Sequence, residues 1–205
     1  ILRGDLYLGF LRVLRDDLPA DEGGAVQGIG WTELATSRDG RTWTRQPGKF
    51  LDRDPRPGEW DHAMAWFGDC VTVGDKEYIY YGGYSTGHKG GGRQLGLAIL
   101  RRNGFVSRDA DAGGGTLRTP RLALAGRTLT INASIRGELR IRLLDAAGRP
   151  LSGFDWADAE PLQGDSLAHR VRWRDRSALP ADAAVSLEFS LRDAALYGFD
   201  LQSRD

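Results

Sequence analysis

Histidines, one cysteine and a glycine-rich loop are the residues whose spacing first limits the chemistry of this chain. His62, His88 and His169 are scattered and form no paired motif, which argues against a catalytic zinc site. Cys70 has no second cysteine for a disulfide, and its apolar neighbours predict a small buried side chain. Gly90–Gly92 lacks the Lys-Ser/Thr pair of a phosphate-binding loop. We therefore expect no metal site, no nucleotide and no other cofactor.

Composition narrows the class of protein further. The chain has 205 residues, and its 28 Lys and Arg balance 28 Asp and Glu, so charge predicts neither nucleic acid nor a membrane surface as a partner. No apolar run approaches the roughly 20 residues that span a bilayer. The 28 Gly, together with 7 Phe, 6 Trp and 6 Tyr, favour tight turns between short strands. An all-β fold is therefore predicted.

The first half of the chain consists of apolar stretches separated by turn motifs. Asp39-Gly40 predicts a hairpin turn of type I′, because both central positions of that turn need a positive φ. Gly74-Asp75 and Asn103-Gly104 are further turn signals. Strands are predicted over residues 6–14, 29–37, 42–45, 63–73, 77–83, 95–101 and 105–107.

These strands form a repeat. Leu34-Ala35 before the turn at Asp39-Gly40 corresponds to Leu97-Ala98 before the turn at Asn103-Gly104. Units of several short strands are typical of β-propeller blades. The second unit contains one predicted strand more than the first, so we predict about two blades, the first lacking its innermost strand. A propeller ring typically needs about four to eight blades, so the chain is expected to continue upstream of Ile1 in a longer protein.

The second half has a different organisation. Residues 110–116 are small and glycine-rich, which predicts a linker. Turns at Ala125-Gly126, Arg136-Gly137 and Ala147-Gly148 separate further short strands, and no helix of ten or more residues stands out. Those strands are predicted over residues 122–124, 128–134, 138–144, 169–173, 185–191 and 196–201. They predict an antiparallel β-sandwich. The chain is thus divided into C-terminal propeller blades, a linker and a sandwich over residues 1–109, 110–116 and 117–205.

Nine turn-rich motifs, which span nearly the whole chain, carry a family resemblance. They are Ser37–Trp43, Gly58–Asp61, Gly74-Asp75 leading into Tyr80–Gly83, Gly87-His88, Leu97–Ser107, Leu143–Asp145, Gly148–Pro150, Gly164-Asp165 and Leu196–Phe199. In this order and spacing, the chain resembles the C-terminal part of the five-bladed propeller glycoside hydrolases. That group contains the family 32 fructan and sucrose hydrolases and the family 43 furanosidases. The resemblance is closest to bacterial relatives with a small C-terminal β-sandwich.

The resemblance implies three essential acids, all upstream of the matched region. They are a nucleophile Asp and a stabilising Asp on early blades and an acid/base Glu on a middle blade. We therefore assign no catalytic residue to this chain and expect it to be inactive by itself. Arg53-Asp54-Pro55 imitates the motif of the stabilising Asp, but its place in a proline-rich connection makes the match a coincidence. The resemblance favours a secreted or periplasmic bacterial protein.

The same resemblance implies a sugar-binding cavity. Asp61 would open the innermost strand of a blade, where its carboxylate would accept hydrogen bonds from sugar hydroxyls. Trp60 or Trp66 would stack on a sugar face, and His88 lies in a glycine-rich loop suited to a lid. The expected substrate-binding residues are Trp60, Asp61, His62, Trp66, Tyr81 and His88.

Structural alternatives to these roles remain open. Asp61 would cap the entry to its strand, both tryptophans would belong to the core, and the histidines would have no ligand. Ser37–Trp43 also resembles the Asp-box of sialidases, one residue short, so Asp39 is assigned to a turn and Trp43 to packing between strands. His169 is assigned a structural role.

A different functional class is a second hypothesis. In a non-catalytic carbohydrate-binding module, Trp156 and Trp173 would be the stacking platforms, although both can also be core residues. In a purely structural alternative, the sandwich only packs against the propeller. The expected partners are a carbohydrate substrate and the missing upstream blades.

Overall fold

The protein is all-β, as predicted. The computed structural model describes residues 1–124, 127–181 and 184–202, and in these ranges it contains strands and turns but no helix. Consequently no helix among them is long and apolar enough to cross a membrane. The chain divides into two compact units, Ile1–Arg102 and Asn103–Asp205. Each unit is built around its own sheet.

The first unit is a 7-stranded sheet in the order β1-β2-β3-β5-β6-β7, with β4 also paired to β3. Its strands are β1 (Leu2–Arg3), β2 (Leu6–Arg15), β3 (Ile29–Ser37), β4 (Thr44–Arg45), β5 (Met64–Val73), β6 (Lys76–Tyr84) and β7 (Arg93–Arg101). Six of the predicted strands are therefore present; residues 29–37 match β3 at both ends, and the other five differ at one or both ends. The seventh, residues 105–107, is wrong, because the chain there forms no strand.

A narrow junction joins the two antiparallel groups of this sheet. β3 and β5 share a single parallel residue pair, Gly30 with Met64. Beyond it, the hydroxyl of the fully buried Thr32 replaces the backbone ladder. Thr32 Oγ1 donates to the carbonyl oxygen of Ala65 at 3.1 Å and accepts the N–H of Phe67 at 2.8 Å. The two groups diverge from this point, and the sheet curls.

The turn at Asp39-Gly40 differs from its prediction. Gly40 has a φ of +70°, but Asp39 is not in the positive region, so this is not a type I′ turn. Pairing of β3 with β4 begins only at Thr36 and Thr44. The Asp39 carboxylate accepts the N–H groups of Arg41 and Thr42, which lower its pKa to about 2. Its structural assignment fits these contacts.

Cys70 lies in an ionic cluster rather than an apolar environment. Its thiol is partly buried and donates to Glu77 Oε2 at 3.5 Å. Glu77 is fully buried, and it also binds the guanidinium of Arg3 at 2.9 Å and the hydroxyl of Thr72 at 2.6 Å. These contacts tie β1 to the far end of the β5–β6 hairpin.

The second unit is a 6-stranded sheet in the order β10-β13-β11-β12, with β8 and β9 also paired to β13. Its strands are β8 (Arg108–Ala110), β9 (Gly115–Arg118), β10 (Leu122–Ala123), β11 (Thr128–Leu144), β12 (Leu162–Arg170) and β13 (Ala184–Gln202). The segment predicted as a linker is therefore bounded by two strands that both pair with β13.

Two long strands replace four predicted short ones. β11 has 17 residues and runs through the predicted turn at Arg136-Gly137, and β13 has 19 residues. Arg136-Gly137 instead forms a bulge opposite Asp193, whose φ is +46°. Bulges bend a strand and increase its twist, so both strands bend here and curl around one apolar core.

The turn at Ala147-Gly148 is confirmed by a 3.1 Å bond from the Gly148 N–H to the Asp145 carbonyl. The turn at Ala125-Gly126 lies outside the described residues.

The two tryptophans of the second unit are poor sugar platforms. Trp173 is fully buried in the core, and its indole N–H donates to the carbonyl oxygen of Ile141 at 2.8 Å. Trp156 is partly buried, and the guanidinium carbon of Arg142 lies 4.6 Å from its ring centroid. One face of the Trp156 ring is therefore covered by a guanidinium.

We expect Gly137→Ala to destabilise the second unit. A Cβ at position 137 would clash with the carbonyl of Arg192, whose carbon atom would lie 3.0 Å away. Overpacking of this kind costs about 1–3 kcal/mol. Gly198→Ala, on the strand that pairs with β11, is the matched control, because a Cβ there meets no atom within 4 Å. Equal urea midpoints for the two variants would contradict the proposed fit at the bulge.

We expect Cys70 to react slowly with thiol reagents. Burial and the neighbouring Glu77 carboxylate raise the pKa of the thiol to about 11, and the thiolate is the reactive form. The rate with a disulfide reagent is therefore expected to rise about tenfold per pH unit between pH 8 and pH 10. A plateau below pH 9 would show that the thiol is not held protonated by these groups.

Candidate functional site

The structure distributes the predicted site over two faces of one sheet. On β5 and β6, Trp66 pairs with Gly82, and the next pair, Phe67 with Tyr81, points to the opposite face. Trp60 and Asp61 contact Tyr81, whereas His88 contacts Trp66. The predicted residues therefore do not form one cavity.

Trp60 is packed against the backbone of the sheet. A Cβ added to Gly83 would lie 2.7 Å from Trp60 Cε3, and one added to Gly96 would lie 2.6 Å from Tyr81 Cε1. The Trp60 and Tyr81 rings are 5.4 Å apart. Two glycines on neighbouring strands thus make room for a flat aromatic pair, and this arrangement fits the structural alternative for Trp60.

Asp61 is occupied by an internal partner. The hydroxyl of Tyr81 donates to Asp61 Oδ2 at 3.0 Å, and the two residues are 9% and 8% exposed. Burial and this hydrogen bond to a carboxylate raise the pKa of the Tyr81 hydroxyl to about 12. The carboxylate of Asp61, which precedes β5, is therefore bound to β6, and little of it reaches solvent.

His62 is enclosed by the segment that contains the Arg-Asp-Pro motif. Its Nδ1 lies 3.1 Å from the carbonyl oxygen of Asp54, and its Nε2 lies 2.9 Å from Asp21 Oδ1. Arg53 donates to the carbonyl oxygen of His62 at 2.6 Å. The Asp54 carboxylate binds Arg56, which lowers its pKa to about 2. The motif therefore encloses a histidine, and its polar groups are occupied.

Trp66, Tyr84, His88 and Arg93 form a partly exposed cluster on the other face, which we call the Trp66 surface. The Trp66 ring lies 5.8 Å from the Tyr84 ring and 5.7 Å from the His88 ring. The Arg93 guanidinium lies 5.2 Å from the Tyr84 ring centroid. The indole N–H of Trp66 donates to the carbonyl oxygen of Val13 at 3.1 Å, which fixes the ring. Trp66 and Tyr84 are half-buried, and His88 and Arg93 are exposed.

Two loops meet beside the Trp66 surface. The N–H of His88 donates to the carbonyl oxygen of Gly28 at 3.2 Å, and that of Lys89 donates to Gln27 at 3.0 Å. The Lys89 ammonium also pairs with Asp16 at 3.1 Å. The segment that precedes β3 therefore supports the loop that carries His88.

The Trp66 surface brings aromatic and charged groups together. It offers aromatic faces, an imidazole and a guanidinium, with Lys89 and Asp16 at its margin. No cluster of three or more metal-ligating side chains exists among the described residues. Tyr84 and Arg93 were missed by sequence reasoning. The register of the β5–β6 hairpin is the signal that places Tyr84 on the same face as Trp66.

We expect Tyr81→Phe to destabilise the first unit by about 1–3 kcal/mol, because it leaves the buried Asp61 carboxylate without its phenolic donor. The matched control is Tyr80→Phe on the same strand, since Tyr80 is 39% exposed. The measurement is the free energy of unfolding in urea. If both variants unfold at the same urea midpoint, the hydrogen bond between Tyr81 and Asp61 makes no net contribution to the free energy of unfolding.

Comparisons with known proteins leave the geometry as the main guide to function. No protein-family model, no curated protein and no solved structure matches this chain.

Proposed function

We propose that this chain binds carbohydrate at the Trp66 surface, as the C-terminal part of a glycoside hydrolase-like protein. The observation that carries the proposal is the contact of Trp66 with both Tyr84 and His88 at a partly exposed position. Aromatic side chains offer flat apolar area at a low cost in conformational entropy, and sugars present matching flat C–H faces. Arg93 and His88 supply hydrogen-bonding groups for the hydroxyls at the rim of that face.

The proposed architecture is a partial β-propeller followed by a β-sandwich. In its favour, the first unit contains two antiparallel groups whose described strands share one parallel residue pair, Gly30 with Met64, as neighbouring blades would. The bent β11 and β13 would each contribute to both layers of a sandwich. Under this proposal the catalytic carboxylates belong to residues outside this sequence. The hydrogen bond from Tyr81 to Asp61 fits this proposal, because it gives Asp61 a structural rather than a catalytic role.

A binding module in the second unit is the weaker candidate. Trp173 is buried in the core, and the Arg142 guanidinium lies over one face of Trp156. Binding therefore is expected to require the first unit, where the aromatic rings are partly exposed.

The test is calorimetric titration of the full chain with linear oligosaccharides of fructofuranosyl and of pyranosyl units. Tyr84→Ala is expected to weaken binding about two- to tenfold, because an aromatic contact is worth roughly 0.5–1.5 kcal/mol and about 1.4 kcal/mol corresponds to a tenfold change in affinity. Tyr80→Ala is the matched control, since Tyr80 is a similarly placed tyrosine outside the Trp66 surface. Saturable binding that both variants retain would move the site elsewhere, and no binding to any sugar would overturn the proposal.

A further inference from the structure

We propose that His62 is a proton-controlled latch that fastens the segment of residues 16–28 next to the Trp66 surface. The latch is inferred from the contacts of His62 alone. Its consequence for ligand binding rests on the proposed function.

Both ring nitrogens of His62 face oxygen atoms that only accept hydrogen bonds. The carbonyl oxygen of Asp54 is 3.1 Å from Nδ1, and the Asp21 carboxylate is 2.9 Å from Nε2. A neutral imidazole has one donor and one acceptor nitrogen, whereas an imidazolium has two donors. Only the protonated ring therefore satisfies both oxygens. When the proton is lost, one of the two contacts becomes an unfavourable approach of a nitrogen lone pair to an oxygen.

The Asp21 contact is the one that can open. The His62 side chain is 4% exposed, so the ring is held in place, whereas the Asp21 side chain is 56% exposed and can turn to water. Asp54 is fixed by its neighbours, because its carboxylate is bound by Arg56. Deprotonation is therefore expected to release Asp21 and the segment that carries it.

The charges around His62 come from several segments. Asp21 contributes a carboxylate from one segment, and Arg53, whose guanidinium contacts the His62 carbonyl oxygen, and Asp54 come from another. Arg56 neutralises Asp54, and the carbonyl oxygen of Glu59 accepts the His62 N–H. Asp61, the preceding residue, is engaged with the Tyr81 hydroxyl. Because Asp54 is bound to Arg56, the Asp21 carboxylate is the exposed partner that the ring proton holds.

The fastened segment reaches the loop of His88. Within it, Gly24 donates its N–H to Asp21 at 3.0 Å and Gly28 donates to Leu18 at 3.1 Å. The carbonyl oxygen of Gly28 in turn accepts the N–H of His88. Release of Asp21 therefore weakens the backbone contact that supports His88, one residue of the Trp66 surface. Carbohydrate binding is expected to weaken as the pH rises.

The test is amide hydrogen exchange of the full chain between about pH 5 and about pH 9, which spans imidazole titration. Protection factors are used, because they remove the intrinsic pH dependence of exchange. For the Gly24 and Gly28 amides we expect protection to fall about tenfold or more with rising pH, the loss expected for one charge-assisted hydrogen bond. The Gly148 amide, in a turn of the second unit, serves as the internal reference.

Asp21→Asn gives the decisive comparison. The amide of the new Asn side chain can donate to a neutral ring nitrogen or accept from a protonated one. In this variant, protection of the Gly24 and Gly28 amides is therefore expected to change less than about twofold over the same pH range. Asp17→Asn is the matched control, because Asp17 pairs with Arg15 rather than His62, and it retains the wild-type dependence. Wild-type protection that does not change with pH, or an Asp21→Asn variant with the wild-type dependence, would overturn the latch. If exchange behaves as expected and no sugar binds at any pH, only the proposed function fails.

Discussion

The junction between β3 and β5 is the constraint on which the first unit depends, because two strands are joined there by only one backbone pair. Gly30 has no side chain, and a Cβ at this position would lie 2.7 Å from both Met64 Cε and Trp66 Nε1. The Thr32 hydroxyl continues the connection by bonding both Ala65 and Phe67. A bulkier residue than Gly30 would displace the Trp66 ring, on which the proposed surface is centred. Packing at the junction thus determines where the aromatic rings lie.

The strands of the first unit could be predicted because they are bounded by strong local signals. Alternation of buried and exposed residues marks β6, and the Gly74-Asp75 turn marks its start. The second unit was harder, since Arg136-Gly137 has the composition of a turn but lies inside β11. Its neighbours on β13 decide between turn and bulge, and those contacts are distant in sequence. Local propensity contains no information about such a partner.

Residue type indicated the chemistry of the candidate site, but the register of strand pairing decided which of its residues lie on the same face. Trp66 and Phe67 are adjacent in sequence and yet point to opposite faces of β5. Asp61 was expected at a sugar cavity and is bonded to Tyr81. The contact of Asp21 with His62 joins residues from separate loops, so no spacing rule in the sequence reveals it.

The position of β13 in the chain has a consequence for biosynthesis. This strand pairs with β8, β9, β10 and β11, all of which precede it. Until β13 leaves the ribosome, those strands lack their shared partner, and the core of the second unit lacks the apolar residues that β13 contributes. Long-range pairing of this kind slows folding and prolongs the exposure of apolar surface. The apolar core of the nascent second unit would therefore stay exposed longer than the local hairpin β5–β6 of the first unit.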